Sequence, residues 1–207
     1  MATVELFFDC SSPWTYLAFH NLQPLAAELG ATIQWRPILV GGVFNAVNPI
    51  YSSTDKPVPA KQEQSKKILQ DWARLAGLKI LGRPSVFPVN SVKAMRGCVW
   101  LEAQSTLIAF ATATFEAYWR DDRDISQIPV LTDICRTAGV DPEAFFAGIE
   151  QQAVKDRLRA NTQELIDRGG FGSPTMFIGD DMYFGNDRLP LVRAALLREK
   201  SVRSDAA

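Results

Sequence analysis

The chain has 207 residues, 47% of them apolar, and a formal net charge of −1. That length allows one sizeable core, or a domain that carries a large insertion. With no long basic run, the chain offers nucleic acid no electrostatic footprint, and its apolar stretches are too short or too interrupted to span a bilayer. The first predicted strand begins almost at Met1, so no signal peptide is expected. Cys10, Cys98 and Cys135 are odd in number and widely spaced, with no CxxC and no zinc-like cluster. They read as reduced thiols of a cytoplasmic protein, without a disulfide. The single histidine, His20, sits mid-helix, where it reads as a surface or packing residue rather than the histidine of a Ser-His-Asp triad.

Val4-Glu5-Leu6-Phe7-Phe8 has the length and content of a buried strand. Asp9-Cys10-Ser11-Ser12-Pro13-Trp14-Thr15-Tyr16 follows it, and an amphipathic pattern then runs to Leu29. Ser12 suits an N-cap, Pro13 a first helical position and Gly30 the C′ position. Ser12 thus lies where a strand ends and a helix begins. It is either a plain cap or part of a site that favours negative charge. Pro24 is expected to kink this helix. Ala31–Ile38 reads as a second strand, which completes a βαβ unit with a right-handed crossover. Residues 39–60, rich in Gly, Asn, Pro and Ser, read as a loop.

From Ala60 to about Gly169 the pattern is almost wholly helical. Helices are predicted over Ala60–Ala76, Ser91–Trp119, Gln127–Thr137, Asp141–Gln152 and Val154–Arg168, with a Pro-rich link over Gly82–Asn90. Ser173–Ile178 and Met182–Phe184 then read as strands joined by the turn Gly179-Asp180-Asp181. A final helix starts at Gly185-Asn186-Asp187, with Leu189, Leu191, Val192, Leu196 and Leu197 on its apolar face and a frayed tail after Lys200. Pattern alone therefore gives an α/β protein in which two sheet-forming ends, βαβ and ββα, flank a helical block. The expected division is 1–43 with 170–207 for the sheet-bearing part and 44–169 for the helical insertion.

Phe7-Phe8-Asp9-Cys10-Ser11-Ser12-Pro13-Trp14-Thr15-Tyr16-Leu17-Ala18 resembles the first active-site segment of the DsbA-like branch of thioredoxin folds. The two cysteines of that branch's CxxC fall on Ser12 and Thr15. Gly172-Ser173-Pro174-Thr175 resembles its second segment, whose proline is cis. The serine version followed by Gly185-Asn186-Asp187-Arg188 is similar to kappa-class glutathione transferases, and more so to 2-hydroxychromene-2-carboxylate isomerases. Phe87-Pro88-Val89-Asn90-Ser91 and Arg96 resemble a segment of the same isomerases. The resemblance runs through essentially the whole chain. It implies a thioredoxin-like fold with a large helical insertion, glutathione as cofactor, a small aromatic carboxylate as substrate and a homodimer. The sequence departs from relatives at Cys10 and Ser11, where bulkier residues are common; neither position is expected to touch the chemistry.

What the resemblance implies for individual residues follows from their chemistry. Thiol–disulfide exchange needs a thiolate, which Ser12 lacks. Ser12 would instead donate a hydrogen bond to the thiol of glutathione. Bringing a thiol of pKa about 8.5 to a majority thiolate near neutral pH takes a shift of roughly 2 units, or about 2.7 kcal/mol. A helix N-terminus gives about 0.3–1 kcal/mol, up to about 2 when sheltered, and a charge-assisted hydrogen bond about 1.5–3. The dipole falls short alone, and with the hydroxyl it suffices. The backbone of Ser173, before Pro174, would pair with the cysteinyl part of glutathione in strand fashion. Asn186 and Asp187 would hold the γ-glutamyl carboxylate and ammonium, and Lys61 the glycine carboxylate. Asn90 and Arg96 would bind the substrate's polar groups, and Trp14 would line an aromatic pocket or pack in the core. Two other activities fit the same residues: transfer or peroxidase chemistry on other electrophiles, and glutathione binding without catalysis.

Overall fold

The structure, a computed structural model, describes residues 2–47 and 58–205. Four strands form one mixed sheet in the order β2-β1-β3-β4. β1 (Thr3–Phe8) is central and pairs in parallel with β2 (Thr32–Pro37), in the register Leu6 to Trp35. On its other side it pairs antiparallel with β3 (Thr175–Ile178), which continues through a tight turn into β4 (Asp181–Phe184). Both faces of β1 are covered, which explains its near-continuous apolar run. Val4, Leu6 and Phe8 enter the main core, and Phe7 enters a smaller cluster with Ile38, Val43, Leu165 and Phe177.

α1 (Pro13–Leu29) joins β1 to β2 and forms as its local signals require: Ser12 caps it, Pro13 opens it and Gly30 closes it in the left-handed conformation at φ 57°. The helix runs through Pro24 as one element. Phe19 of α1 meets Phe8 and Trp35 of the sheet and Phe115 of the helical block, so sheet and insertion share one core.

Three expectations are corrected here. Residues 40–47, read as loop, form α2 (Val40–Val47). Its first amides are satisfied from elsewhere: Leu39 N–H donates to Thr162 Oγ1 at 3.0 Å and Val40 N–H to Asp9 Oδ2 at 2.9 Å. No capping residue is therefore needed in the local sequence. The rest of that expected loop at 48–57 lies outside the described residues. The long helix expected over Ser91–Trp119 is instead α4 (Val92–Trp100) and α5 (Leu107–Phe115), with a π-helical turn over Glu116–Arg120. Leu101 and Leu107 are both buried on either side of the polar Gln104-Ser105-Thr106, and a turn between them lets both reach the core. In α9 (Leu189–Asp205), which follows a 3-10 turn at Asn186–Arg188, Val192, Ala195 and Leu196 are buried, whereas Leu191 and Leu197 are exposed.

The remaining helices are α3 (Pro59–Leu75), α6 (Ile128–Thr137), α7 (Pro142–Ile149) and α8 (Gln152–Asp167). α4 packs on α7 and α8, and α8 reaches back to α2 and β2. None of the described helices is long and apolar enough to cross a membrane.

One buried carboxylate ties these parts together. Asp9, at the end of β1, is 1% exposed. Its Oδ1 accepts from Ser11 N–H at 2.9 Å, and its Oδ2 accepts from Val40 N–H at 2.9 Å and from Ser91 Oγ at 3.1 Å. Burial pushes the Asp9 carboxyl above its usual range, against the lowering effect of those donors. The folded protein therefore holds this proton more tightly than the unfolded chain does. Asp9's stability contribution is fully present below about pH 4 and is lost as pH rises through the raised value. Asp9→Asn, which does not titrate, isolates the effect. Urea unfolding between about pH 4 and about pH 8 should show the wild-type advantage over Asp9→Asn shrinking as pH rises. An advantage that grows with pH would contradict this account of Asp9.

Candidate active site

Ser12 has extended backbone (φ −113°, ψ 127°) immediately before α1. Its Oγ accepts from Thr15 N–H at 3.3 Å and donates to the Ser173 carbonyl at 3.3 Å. Ser173 arrives from the strand side of the sheet, and its bond to Pro174 is cis, as the resemblance implies. Two contacts fix Ser173 against the first segment. Its Oγ accepts from Asp9 N–H at 3.1 Å and shares a 2.8 Å hydrogen bond with Thr15 Oγ1. The two positions matched to CxxC are thus both bonded to Ser173, one through its carbonyl and one through its hydroxyl.

Behind this junction stands the π-helical turn. It carries Trp119, 2% exposed, whose indole N–H donates to the Cys10 carbonyl at 2.9 Å. π-turns inside helices often accompany functional sites, and this one carries the indole that bonds the loop before Ser12.

A cavity of about 580 Å³ opens in front of Ser12. Ser11, Ser12, Ser173, Asn186, Asp187 and Arg188 form its polar side. Trp14, Phe44, Trp72, Phe87, Phe171 and Phe184 supply most of its apolar side. Asn186 is 1% exposed; its Oδ1 accepts from Asn21 Nδ2 at 3.0 Å. That bond leaves Asn186 Nδ2 as a buried donor without an acceptor among the described residues. Gly185, before it, sits at φ 103°, and a Cβ there would lie 2.6 Å from Asp187 Oδ1. Only glycine leaves room for the Asp187 carboxylate to fold back in this way. Asp187 also accepts from Arg188 Nη1 at 2.6 Å, and both side chains are half exposed.

The structure brings Ser12, Trp14, Ser173, Pro174, Asn186 and Asp187 to one cavity. Trp14 does both things considered for it, lining the cavity and packing against the core. Lys61, Asn90 and Arg96 are not among the described residues that line the cavity. Lys61 is exposed on the first turn of α3. Asn90 turns its Oδ1 back to accept from Val92 N–H at 3.1 Å, and Arg96 pairs with Glu150 at 3.6 Å.

Ser11, which is not expected to touch the chemistry, lines the cavity beside Ser12. Cys10 points the other way. It is fully buried beside Cys98, and its thiol is pushed well above its ordinary value, chiefly by burial. Burial raises Cys135 to about 12 as well. All three thiols are free, and neither Cys10 nor Cys135 is disposed to ionise.

Residues 3–197 match the DSBA-like thioredoxin domain, and the chain belongs to that family. Its particular likeness is to one group of enzymes. Over 199 residues it is 33% identical to 2-hydroxychromene-2-carboxylate isomerase of Pseudomonas putida, with 94% of each chain covered. A solved structure of a 2-hydroxychromene-2-carboxylate isomerase superposes with a TM-score of 0.81 at 30% identity, covering 99% of both chains. Human glutathione S-transferase kappa 1 is 27% identical over 220 residues, with 96% of this chain and 92% of the relative covered.

Trp119→Phe keeps most of the buried ring and removes one hydrogen bond to a buried carbonyl. It should cost about 1–3 kcal/mol of stability in urea unfolding. An unchanged unfolding midpoint would mean that the Cys10 carbonyl does not depend on Trp119.

Proposed function

We propose that this chain is a glutathione-dependent isomerase that interconverts 2-hydroxychromene-2-carboxylate and trans-o-hydroxybenzylidenepyruvate in aromatic degradation. The observation that carries the reading is Ser12. A hydroxyl stands at the helix N-terminus, beside a cis Ser173–Pro174 bond and facing a cavity walled by aromatic rings. Two relatives carry the isomerase name and another the name glutathione S-transferase.

The residues present fit glutathione. Asn186 Nδ2 is a buried donor that needs an acceptor, and a γ-glutamyl carboxylate would supply one. Asp187 would take the neighbouring ammonium, and the Ser173 backbone would pair with the cysteinyl unit. When bound, glutathione would supply a thiolate able to add reversibly to an electrophilic carbon of the substrate. Ser12 directs its proton toward that sulfur. At 3.3 Å its bond to the Ser173 carbonyl is longer than a typical O–H···O contact of about 2.7–2.8 Å, so little is lost when the hydroxyl turns. Trp14 and the facing aromatic side chains hold a flat substrate and exclude water.

The same reading makes the protein a cytoplasmic homodimer. The three free, buried thiols support a reducing compartment. The proposed division of the chain into 1–43 with 170–207 and 44–169 places the cavity where the sheet-bearing part meets the inserted helices.

Isomerisation should require glutathione and leave its total unchanged after many turnovers. Stoichiometric conjugate would replace this reading with a transferase. Asp187→Ala should raise the KM for glutathione roughly tenfold, or about 1.4 kcal/mol, with kcat near wild type. A large fall in kcat at unchanged KM would remove Asp187 from the glutathione site.

A further inference from the structure

Resting on the isomerase reading, we infer that Arg188 is the side chain that binds the carboxylate of the aromatic substrate, and that Phe171 and Phe184, with Phe44 lining the same cavity, carry its fused ring. Such a substrate joins one anionic group to one flat apolar face. The cavity needs a cation and an exposed aromatic surface close together, and the chain supplies both next to each other.

Arg188 is the one cationic side chain among the described residues lining the cavity. Arg96, the sequence's candidate for this task, is turned to Glu150 instead. Arg188 gives Nη1 to Asp187 and is half exposed. A guanidinium has five N–H donors in a planar fork, so that contact leaves donors for a second carboxylate. Asp187 also keeps Arg188 in place, with the remaining guanidinium N–H groups left to meet a ligand.

The aromatic surface begins four residues earlier. The Phe171 and Phe184 rings lie 4.5 Å apart at 48° to each other, and they stay 40% and 38% exposed in the cavity wall. The largest core aromatics in this chain are buried; these two, like Phe87 at 45% exposed, are left open in the cavity wall. Gly172 makes their position possible. A Cβ on Gly172 would lie 2.9 Å from the Phe184 ring and 3.6 Å from Phe44. The Phe184 ring therefore rests on bare backbone beside Ser173 and Pro174, next to the segment that meets Ser12. One short stretch, Phe184-Gly185-Asn186-Asp187-Arg188, thus carries an aromatic face, the Asn186–Asp187 pair and a carboxylate-binding cation.

Calorimetric titration of the full chain with chromone-2-carboxylate, which cannot isomerise, and with its neutral methyl ester tests this without turnover. Wild type should bind the carboxylate at least about tenfold tighter than the ester, as expected for a charge-assisted bidentate contact. Arg188→Leu should abolish that preference while leaving ester affinity within about twofold of wild type. Arg188→Lys, with the charge but no fork, should fall between. Phe184→Leu should weaken both ligands alike. If Arg188→Leu keeps the carboxylate preference, the assignment is wrong, whether or not glutathione affinity falls. If wild type binds neither chromone ligand, the isomerase reading fails and this inference with it.

Discussion

The site depends on a carboxylate that has no water to turn to. Asp9 lies at the end of the central strand, and its two oxygens accept from the Ser11 backbone, the start of α2 and the hydroxyl of Ser91 at the start of α4. Its own N–H is held by Ser173. A buried acidic group without donors costs far more than these bonds can return individually, so all four segments are constrained together. Ser12 stands in the middle of that arrangement. Its hydroxyl is placed less by its own preferences than by the strand end, the helix start and the cis Ser173–Pro174 segment around it.

From this constraint comes a cavity with two kinds of wall. The polar wall is built from backbone turns and short side chains: serines, Asn186 and Asp187. The apolar wall is built from rings contributed by the sheet-bearing ends of the chain and by the helices between them. The protein's own thiols are kept out of the chemistry. Cys10 is two residues from Ser12, yet it is buried against Cys98, where ionisation is disfavoured. On the proposed reading the nucleophilic sulfur comes from glutathione, and the serine hydroxyl and helix N-terminus would receive it.

Much of this was legible in the sequence wherever the signal is local. β1 and α1 carry their own strand pattern, cap, proline and closing glycine, and the Ser-Pro pair at 173–174 is cis as the resemblance implies. The misses are places where the signal comes from afar. α2 is capped by residues 31 and 123 positions away, so nothing near Val40 announces a helix. The turn between α4 and α5 is set by where Leu101 and Leu107 must be buried, which periodicity alone does not reveal. Lys61, Asn90 and Arg96 have suitable chemistry, but the sequence does not say which side chains reach the cavity, and none of the three is among the described residues that line it. Arg96 takes Glu150, and Asn90 takes its own backbone. Phe171 and Phe184 look like any other apolar residues until the fold sets the Phe184 ring over Gly172 and the Phe171 ring beside it.

The central claim is that Ser12 does more than cap α1: its hydroxyl stabilises the thiolate of bound glutathione. The most direct measurement is the ultraviolet thiolate absorbance of the glutathione-bound protein, titrated with pH in wild type and Ser12→Ala. Removing the hydroxyl should raise the bound thiol's pKa by roughly one to two units, the scale of one charge-assisted hydrogen bond. Superimposable titration curves would contradict the account and leave Ser12 as a helix cap alone.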